Sequence, residues 1–339
     1  PLYSSAASDV YKRQAQFSTT FPTLENLPSL LSEVLERVKN HPNIELFSQS
    51  RVVEVEGFIG NFRVAVETGQ PGSDEVAKRD LEVGAIVVAT GFDNFDATLK
   101  PEFGYGSYDG VITGPELETL FSTSGDDAAT GLLDPEKIKN VVFIHCVGSR
   151  DKTVGNPYCS RVCCMYTAKQ AHLLREALPD ARITVFYMDV RAFGKGFEQF
   201  YDQVRRERVL YRRGNPSEIY KRNGRLVIRA EDTLLSKPVE VEADLVVLAT
   251  GLVPRGDADE IGGLLKLSRS VDGFFMELHP KLRPVDTTTD GVFLAGCCQG
   301  PKDITDTIAQ AKAAASSALI PLSLGSVKVE SITLSLIHI

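Results

Sequence analysis

No tract of this 339-residue chain is rich in lysine or arginine, and 45 acidic residues outnumber 37 basic ones to leave a net charge of −8. Nucleic acid and anionic lipid are held through basic patches, so neither is an expected partner. No uninterrupted apolar run approaches the ~18–20 residues of a bilayer span, and the first thirty residues lack the basic-then-apolar order of a signal peptide. The expectation is a soluble, cytoplasmic protein without a membrane span. Apolar residues are not scarce: at 43% they fall in the range of globular chains, which argues against disorder throughout. The length exceeds the ~250–300 residues that one core usually serves, so two domains are expected. The six cysteines are not spread as a secreted disulfide framework would be. They fall into two groups, Cys146, Cys159, Cys163 and Cys164, then Cys297 and Cys298, a clustering that favours metal ligation or redox chemistry.

Periodicity organises the rest. Leu30, Leu31, Val34, Leu35 and Val38 recur at helical spacing over 28–40, and His41-Pro42 ends that helix. The segment 44–68 reads as three short alternating strands turning at Gly57 and Gly60-Asn61, an antiparallel meander. LEVGAIVVATG (81–91) reads as one strand buried on both faces and closing in Ala89-Thr90-Gly91. From 138 the order is strand (KNVVFIHC), helix (CSRVCCMYTAKQAHLLREAL) and strand (ARITVFYMDV), a β-α-β unit. VEADLVVLATG (241–251) then repeats the design of 81–91, and a last strand over 286–296 enters a helix, DITDTIAQAKAAASSAL.

That final strand-to-helix turn, after Ala295-Gly296, presents backbone N–H groups and a positive dipole end. It resembles the second FAD-contact motif of the thioredoxin reductase class of flavoproteins, with Cys297 where an acidic residue is usual and Asp303 as its replacement. The fold expected is therefore α/β, a two-dinucleotide-binding-domain flavoprotein with a partial FAD domain and a second Rossmann-like domain. In that class the second domain binds its nicotinamide cofactor at a glycine-rich turn after its first strand. Here the turn is replaced by four cysteines spaced C-x12-C-x3-C-C. Four thiolates drawn from a strand end, a loop and a helix's first turn can enclose a 4Fe-4S cubane. A four-cysteine zinc site and four incidental buried thiols are the alternatives; adjacent Cys163-Cys164 departs from the knuckle spacing of structural zinc.

CVGSRD, YCSRVCCMYTAKQA, FYMDVRAFGKGFEQFY and HPKLRPVDTTTDGVFLAGCCQGPKDITDTIAQA together resemble the A subunit of heterodisulfide reductase, the flavin-containing iron–sulfur subunit of the coenzyme B/coenzyme M system, from about 28 to 320. The resemblance implies FAD and a 4Fe-4S cluster as cofactors, with Cys146, Cys159, Cys163 and Cys164 as cluster ligands. It implies an oxidoreductase that transfers electrons within a multi-subunit complex. The implied partners are further heterodisulfide reductase-type subunits and a ferredoxin or hydrogenase-type electron donor, with a homodimer inside the larger complex also compatible. The glycine-rich turn for the ADP part of FAD would lie upstream of residue 20 and is absent, so the chain resembles a fragment. A ferredoxin-like insertion found in many relatives would fall near 66–80, where ETGQPGSDEVAKRD carries no cysteine. The division expected is 1–14 and 326–339 as non-native or disordered tips, 15–135 as the first part of the FAD domain, 136–255 as the Rossmann-like domain with the iron–sulfur site, and 256–325 as a return to the FAD domain.

Thr90, Gly91, Gly296, Cys297, Gln299, Gly300, Asp303 and Ile304 are the residues expected to contact FAD. Cys298 and Lys169 are the catalytic candidates, Lys169 as a cation near the flavin N5 or else a solvated helix lysine. Cys297 and Cys298 also allow a different function, an NAD(P)H-dependent disulfide reductase with a vicinal dithiol, and a cofactor-free scaffold is the third. Asp189 with Gly194-x-Gly196 has the outline of a vestigial phosphate site, which is not adopted. Arg150 and Arg161 flank the cysteine loop and would offset an anionic cluster or serve the surface. His145, expected on the opposite strand face from Cys146, reads as structural.

Overall fold

A computed structural model describes residues 17–69, 77–122 and 133–326. Of the tips expected at 1–14 and 326–339 only Ser326 lies within the described residues, and 70–76 of the expected insertion point lie outside them.

Asn26 caps the first helix, its side chain accepting from the Ser29 N–H at 2.9 Å, and α1 runs Leu27–Lys39 with Pro28 in its first turn. Its predicted period is present, yet Leu30 and Val34 are exposed and only Leu27 is buried. Strands β1 (Ser50–Phe58), β2 (Asn61–Thr68) and β3 (Ala77–Val83) form an antiparallel sheet. The meander thus takes two strands, not three, from 44–68, and Gly57 lies inside β1 while Ile59-Gly60 makes the turn. Nor is 81–91 a single strand. Its first residues complete β3, and after Gly84 the chain leaves that sheet to form β4 (Ile86–Val88). One segment cannot satisfy antiparallel bonds to β2 and parallel bonds elsewhere without such a break. β4 is also less buried than its apolar run predicts, Val87 being 38% exposed.

β5 (Asp93–Asn94) and β6 (Val111–Thr113) precede α2 (Gly114–Ser122). β7 (Asn140–Val147), α3 (Cys163–Ala177), β8 (Arg182–Tyr187), α4 (Phe197–Arg206) and β9 (Leu210–Arg213) follow in β-α-β-α-β order. A second antiparallel sheet comprises β10 (Pro216–Arg222), β11 (Arg225–Asp232) and β12 (Lys237–Ala243). Then come β13 (Leu245–Thr250), β14 (Leu252–Val253), α5 (Ala258–Leu265), β15 (Val292–Leu294) and α6 (Ile304–Leu324). β6, β13, β7, β8 and β9 lie side by side as one parallel sheet. Its edge strand β6 comes from before residue 136, so this sheet starts earlier in the chain than the expected boundary. β15 pairs in parallel with β4, and β14 with β5 antiparallel.

Alternation explains why β7 and β13 read as continuous apolar runs. Val141, Phe143, Leu245 and Val247 face Met165, Ala168 and Leu174 of α3. Val142, Ile144, Val246 and Leu248 face Ile219 and Ile228 of the antiparallel sheet. A central strand packed on both faces has no polar side, and each large side chain so buried contributes about 1.5–3 kcal/mol. Among the described residues no helix is long and apolar enough to cross a membrane.

Candidate functional site

Parallel α/β sheets bind ligands beyond the carboxyl ends of their strands, and β7 carries Cys146 at that end. Cys146 adopts φ +60° and coincides with a break in the β7–β13 register between Leu248 and Thr250. Gly148, Arg150 and Arg161 are left-handed too. Left-handed backbone costs a non-glycine residue ~1–2 kcal/mol, so three such residues within one loop are held there by their surroundings. The hold is visible. Ser149 Oγ receives the Ser160 N–H at 2.9 Å, Ser160 Oγ receives the Leu252 N–H at 2.9 Å, and Tyr158 Oη donates to the Leu252 carbonyl at 3.1 Å. The loop is thereby fastened to Leu252, which opens β14 just beyond the end of β13. Gly251 makes this approach feasible: a Cβ there would sit 2.7 Å from Ser160 Oγ and 3.2 Å from the Gly148 carbonyl.

The four cysteines meet in this corner. Cys163 and Cys164 open α3, their thiols turned to the carbonyls of Thr250 and Asp189 at 3.8 Å each. Cys163 lies within electrostatic reach of Cys146, Cys164 and Cys159, and Cys146 within reach of Cys164 and Cys159. None of the six cysteines is in a disulfide. Burial, then mutual repulsion, pushes the Cys146 thiol up to about 12 and Cys163 well above its ordinary value; Cys164 is pushed up to about 11, mainly by burial. A bound cation would stabilise such desolvated, mutually repelling groups as thiolates, which is the chemistry a metal centre asks of its donors. Among the described residues no group of three or more His, Cys, Asp or Glu side chains is arranged to hold a single metal ion. A zinc ion would draw its sulfurs in to ~2.3 Å from itself, whereas a cubane interposes four irons and their sulfides between its thiolates.

Charged groups surround the corner. Arg150 pairs with Asp189 at 2.5 Å, and Arg161 pairs with Asp306 of α6 at 2.8 Å while covering the Phe193 ring. Asp189 is therefore engaged in ion pairs, with Arg191 as a second partner at 3.4 Å. His145 is fully buried, and burial holds its pKa down at about 4, leaving a neutral ring.

The other candidates come from distant parts of the chain. Thr90, Gly91 and Cys298 line one shallow concavity with Arg255, Phe274 and Phe275. Gly296, Cys297 and Cys298 form a tight turn, with the Gly296 N–H donating to Gln310 Oε1 at 2.7 Å. Cys297 points to the Lys302 carbonyl at 3.4 Å, whereas Cys298 points to the carbonyls of Val88 at 3.1 Å and Ala295 at 3.3 Å. Burial raises both thiols, Cys298 to about 11. The two neighbouring thiols are turned to different carbonyls, and burial favours their protonated form. Gln299 donates to Glu277 at 2.7 Å. Asp303 caps α6, accepting from the Asp306 N–H at 2.8 Å, so Ile304 begins the helix with its leading N–H groups at the turn.

Two arrangements escape sequence reading. Lys302 is buried, and its ammonium donates to the Gly296 and Gly300 carbonyls and Gln299 Oε1 at 2.8–2.9 Å, bracing the turn. Lys169 is neither solvated nor free: at 2% exposure it forms a 2.7 Å ion pair with Glu118 of α2, itself 1% exposed, and donates to the Thr19 carbonyl at 2.9 Å. Burial lowers its pKa and Glu118 opposes the shift. The only hint in sequence was a lysine amid small and apolar residues of α3.

No family model matches the chain. At 42% identity it is similar to the A subunit of the H(2):CoB-CoM heterodisulfide,ferredoxin reductase of Methanothermobacter marburgensis and to the second iron–sulfur A subunit of the CoB–CoM heterodisulfide reductase of Methanopyrus kandleri, each over 94% of its own length and 60% of theirs. The chain thus spans about three-fifths of these relatives. The first alignment extends over 394 positions, more than the chain contains, so the relative carries inserted residues within the shared span. Among solved structures, thioredoxin reductase of T. acidophilum superposes with a TM-score of 0.56 at 16% identity, covering 92% of this chain and 86% of that one. The fold is accordingly that of the two-domain thioredoxin reductase-like flavoproteins.

Proposed function

The chain belongs to the family of heterodisulfide reductase A subunits, and on that premise we propose that it is an electron-transferring oxidoreductase subunit that passes electrons between FAD and a 4Fe-4S cluster, within a complex of heterodisulfide reductase-type subunits supplied by a ferredoxin or hydrogenase-type donor. The observation that carries this proposal is the corner at the end of β7, where four unpaired thiols stand in place of a glycine-rich turn.

Cys146, Cys159, Cys163 and Cys164 would hold the cluster. Thr90, Gly91, Cys298 and the turn before Ile304 would form one wall of the FAD site. When bound there, flavin supplies pairwise electron acceptance with release of single electrons, which the cluster carries one at a time. The protein's own part is positioning and electrostatics. The Ser149, Ser160 and Tyr158 bonds keep the cysteine loop against Leu252 at the start of β14. Arg150 and Arg161 place positive charge beside four thiolates. The first turn of α6 and the Lys302 ammonium bias the other wall toward an anionic ring edge. Lys169 would be the cation near the flavin N5, its amine held by Glu118 and the Thr19 carbonyl. The opposed directions of Cys297 and Cys298 speak against the dithiol reductase alternative.

Anaerobic purification with iron and flavin quantification tests the proposal. About four irons per chain are expected, with absorbance in the flavin and iron–sulfur region. Colourless protein holding one zinc would refute it.

A further inference from the structure

His145 occupies the end of β7, two residues before its last, and alternation with Val141 and Phe143 puts its side chain on the sheet face that α3 covers. There the imidazole is 2% exposed and neither Nδ1 nor Nε2 has a hydrogen-bond partner. A buried polar group left unpaired costs ~1–3 kcal/mol. Leucine or phenylalanine would fill such a position without that cost, so an orphaned imidazole calls for a partner that the described residues do not provide.

The surroundings locate that partner. The ring directly precedes Cys146, and the helix lying over this face begins with Cys163 and Cys164. Asp189 lies within electrostatic reach of His145, Cys146 and Cys164 alike. The Asp189 carboxylate is not the missing partner, since Arg150 and Arg191 engage it.

We propose that His145 donates its ring N–H to a sulfur atom of the iron–sulfur centre held by the four cysteines, acting as a positioning residue that raises the centre's reduction potential. The inference rests on the assignment of these cysteines to a cluster. A neutral imidazole carries one N–H donor. A hydrogen bond to a thiolate or sulfide favours the more negative, reduced state, and such bonds are among the levers by which proteins tune cluster potentials.

Pulsed EPR on the reduced wild-type protein, with and without 15N-histidine labelling, reads this contact directly, and the expected result is nitrogen coupling from one histidine. In His145→Leu the coupling disappears, and the reduced-to-oxidised ratio at a fixed potential near the midpoint falls roughly tenfold, the scale of one hydrogen bond to a charged acceptor. His145→Gln, which retains a donor, recovers most of that ratio. Wild-type protein that carries iron but shows no histidine coupling overturns the role of His145 and leaves the cluster assignment standing, even if the leucine variant fails to fold. Iron-loaded His145→Leu with an unchanged ratio overturns it as well. Wild-type protein without iron overturns the cluster assignment and this inference together.

Discussion

β13 ends in Ala249-Thr250-Gly251 and β4 leads into Ala89-Thr90-Gly91, and each follows an antiparallel three-stranded sheet after a short break, at Asp244 and at Gly84. Their surroundings differ. β13 is flanked by β6 and β7, and no residue of it is more than 1% exposed, whereas β4 pairs with β15 and leaves Val87 half open. The helix packed against each differs similarly: α3, against β13, buries nine of its residues, while α6, against β4, buries Ala314 and Ala318 and exposes Leu319, Ile320, Leu322 and Leu324. One sequence design thus yields two local strands of one kind, and neighbours decide how deeply each is set. The enclosed copy can hold strained backbone and crowded thiols near its end; the open copy borders the shallow concavity lined by Thr90, Gly91 and Cys298.

The largest contrast expected between the two ends is in metal content. Serine at Cys146, Cys159, Cys163 or Cys164 should abolish most bound iron, and Cys297→Ser or Cys298→Ser should leave about four irons per chain. Iron assays that reverse this pattern would break the comparison. Next in size is the enclosed half's buried ion pair. Lys169→Met strands Glu118 and should cost about 3–5 kcal/mol in urea unfolding, much of which the double change with Glu118→Leu restores.

The open half should declare itself in alkali through Cys298. Its thiol gives up a proton near pH 9 when unfolded and only near 11 when folded. Stability is therefore complete below pH 9 and declines as pH rises to 11, by at most about 2–3 kcal/mol. Cys298→Ala should lack that share of the decline, and a parallel decline in both proteins would count against it. The smallest contrast concerns the two glycines. Gly251→Ala drives a methyl against Ser160 and the Gly148 carbonyl and should cost about 1–3 kcal/mol. Gly91→Ala meets no atom within 4 Å and bears only the strain of φ +80°, about 1 kcal/mol. Thermal or denaturant unfolding of the pair would rank them.

Much of the fold was legible because it is written in short-range pattern. The continuous apolar runs at 140–147 and 245–250, the β-α-β order and the clustered cysteines are each set by residues close together in the chain. The breaks at Gly84 and Asp244 were missed because an apolar run gives no sign of where a strand trades one partner for another. The pairing of β6 with β13, the burial of Lys169 on Glu118 and the bracing of Gly296 by Lys302 depend on contacts for which local periodicity carries no signal.

The sequence by itself determined which segments become strand or helix and that four thiols cluster near one strand end, because alternation, helical spacing and residue chemistry act between near neighbours. Tertiary structure alone decided that one Ala-Thr-Gly strand would be enclosed and the other left open, that a lysine would be sealed against a glutamate, and that His145 would be buried without a partner. Those outcomes follow from burial summed over elements remote in the chain, where each contact is weak and only their total selects the arrangement.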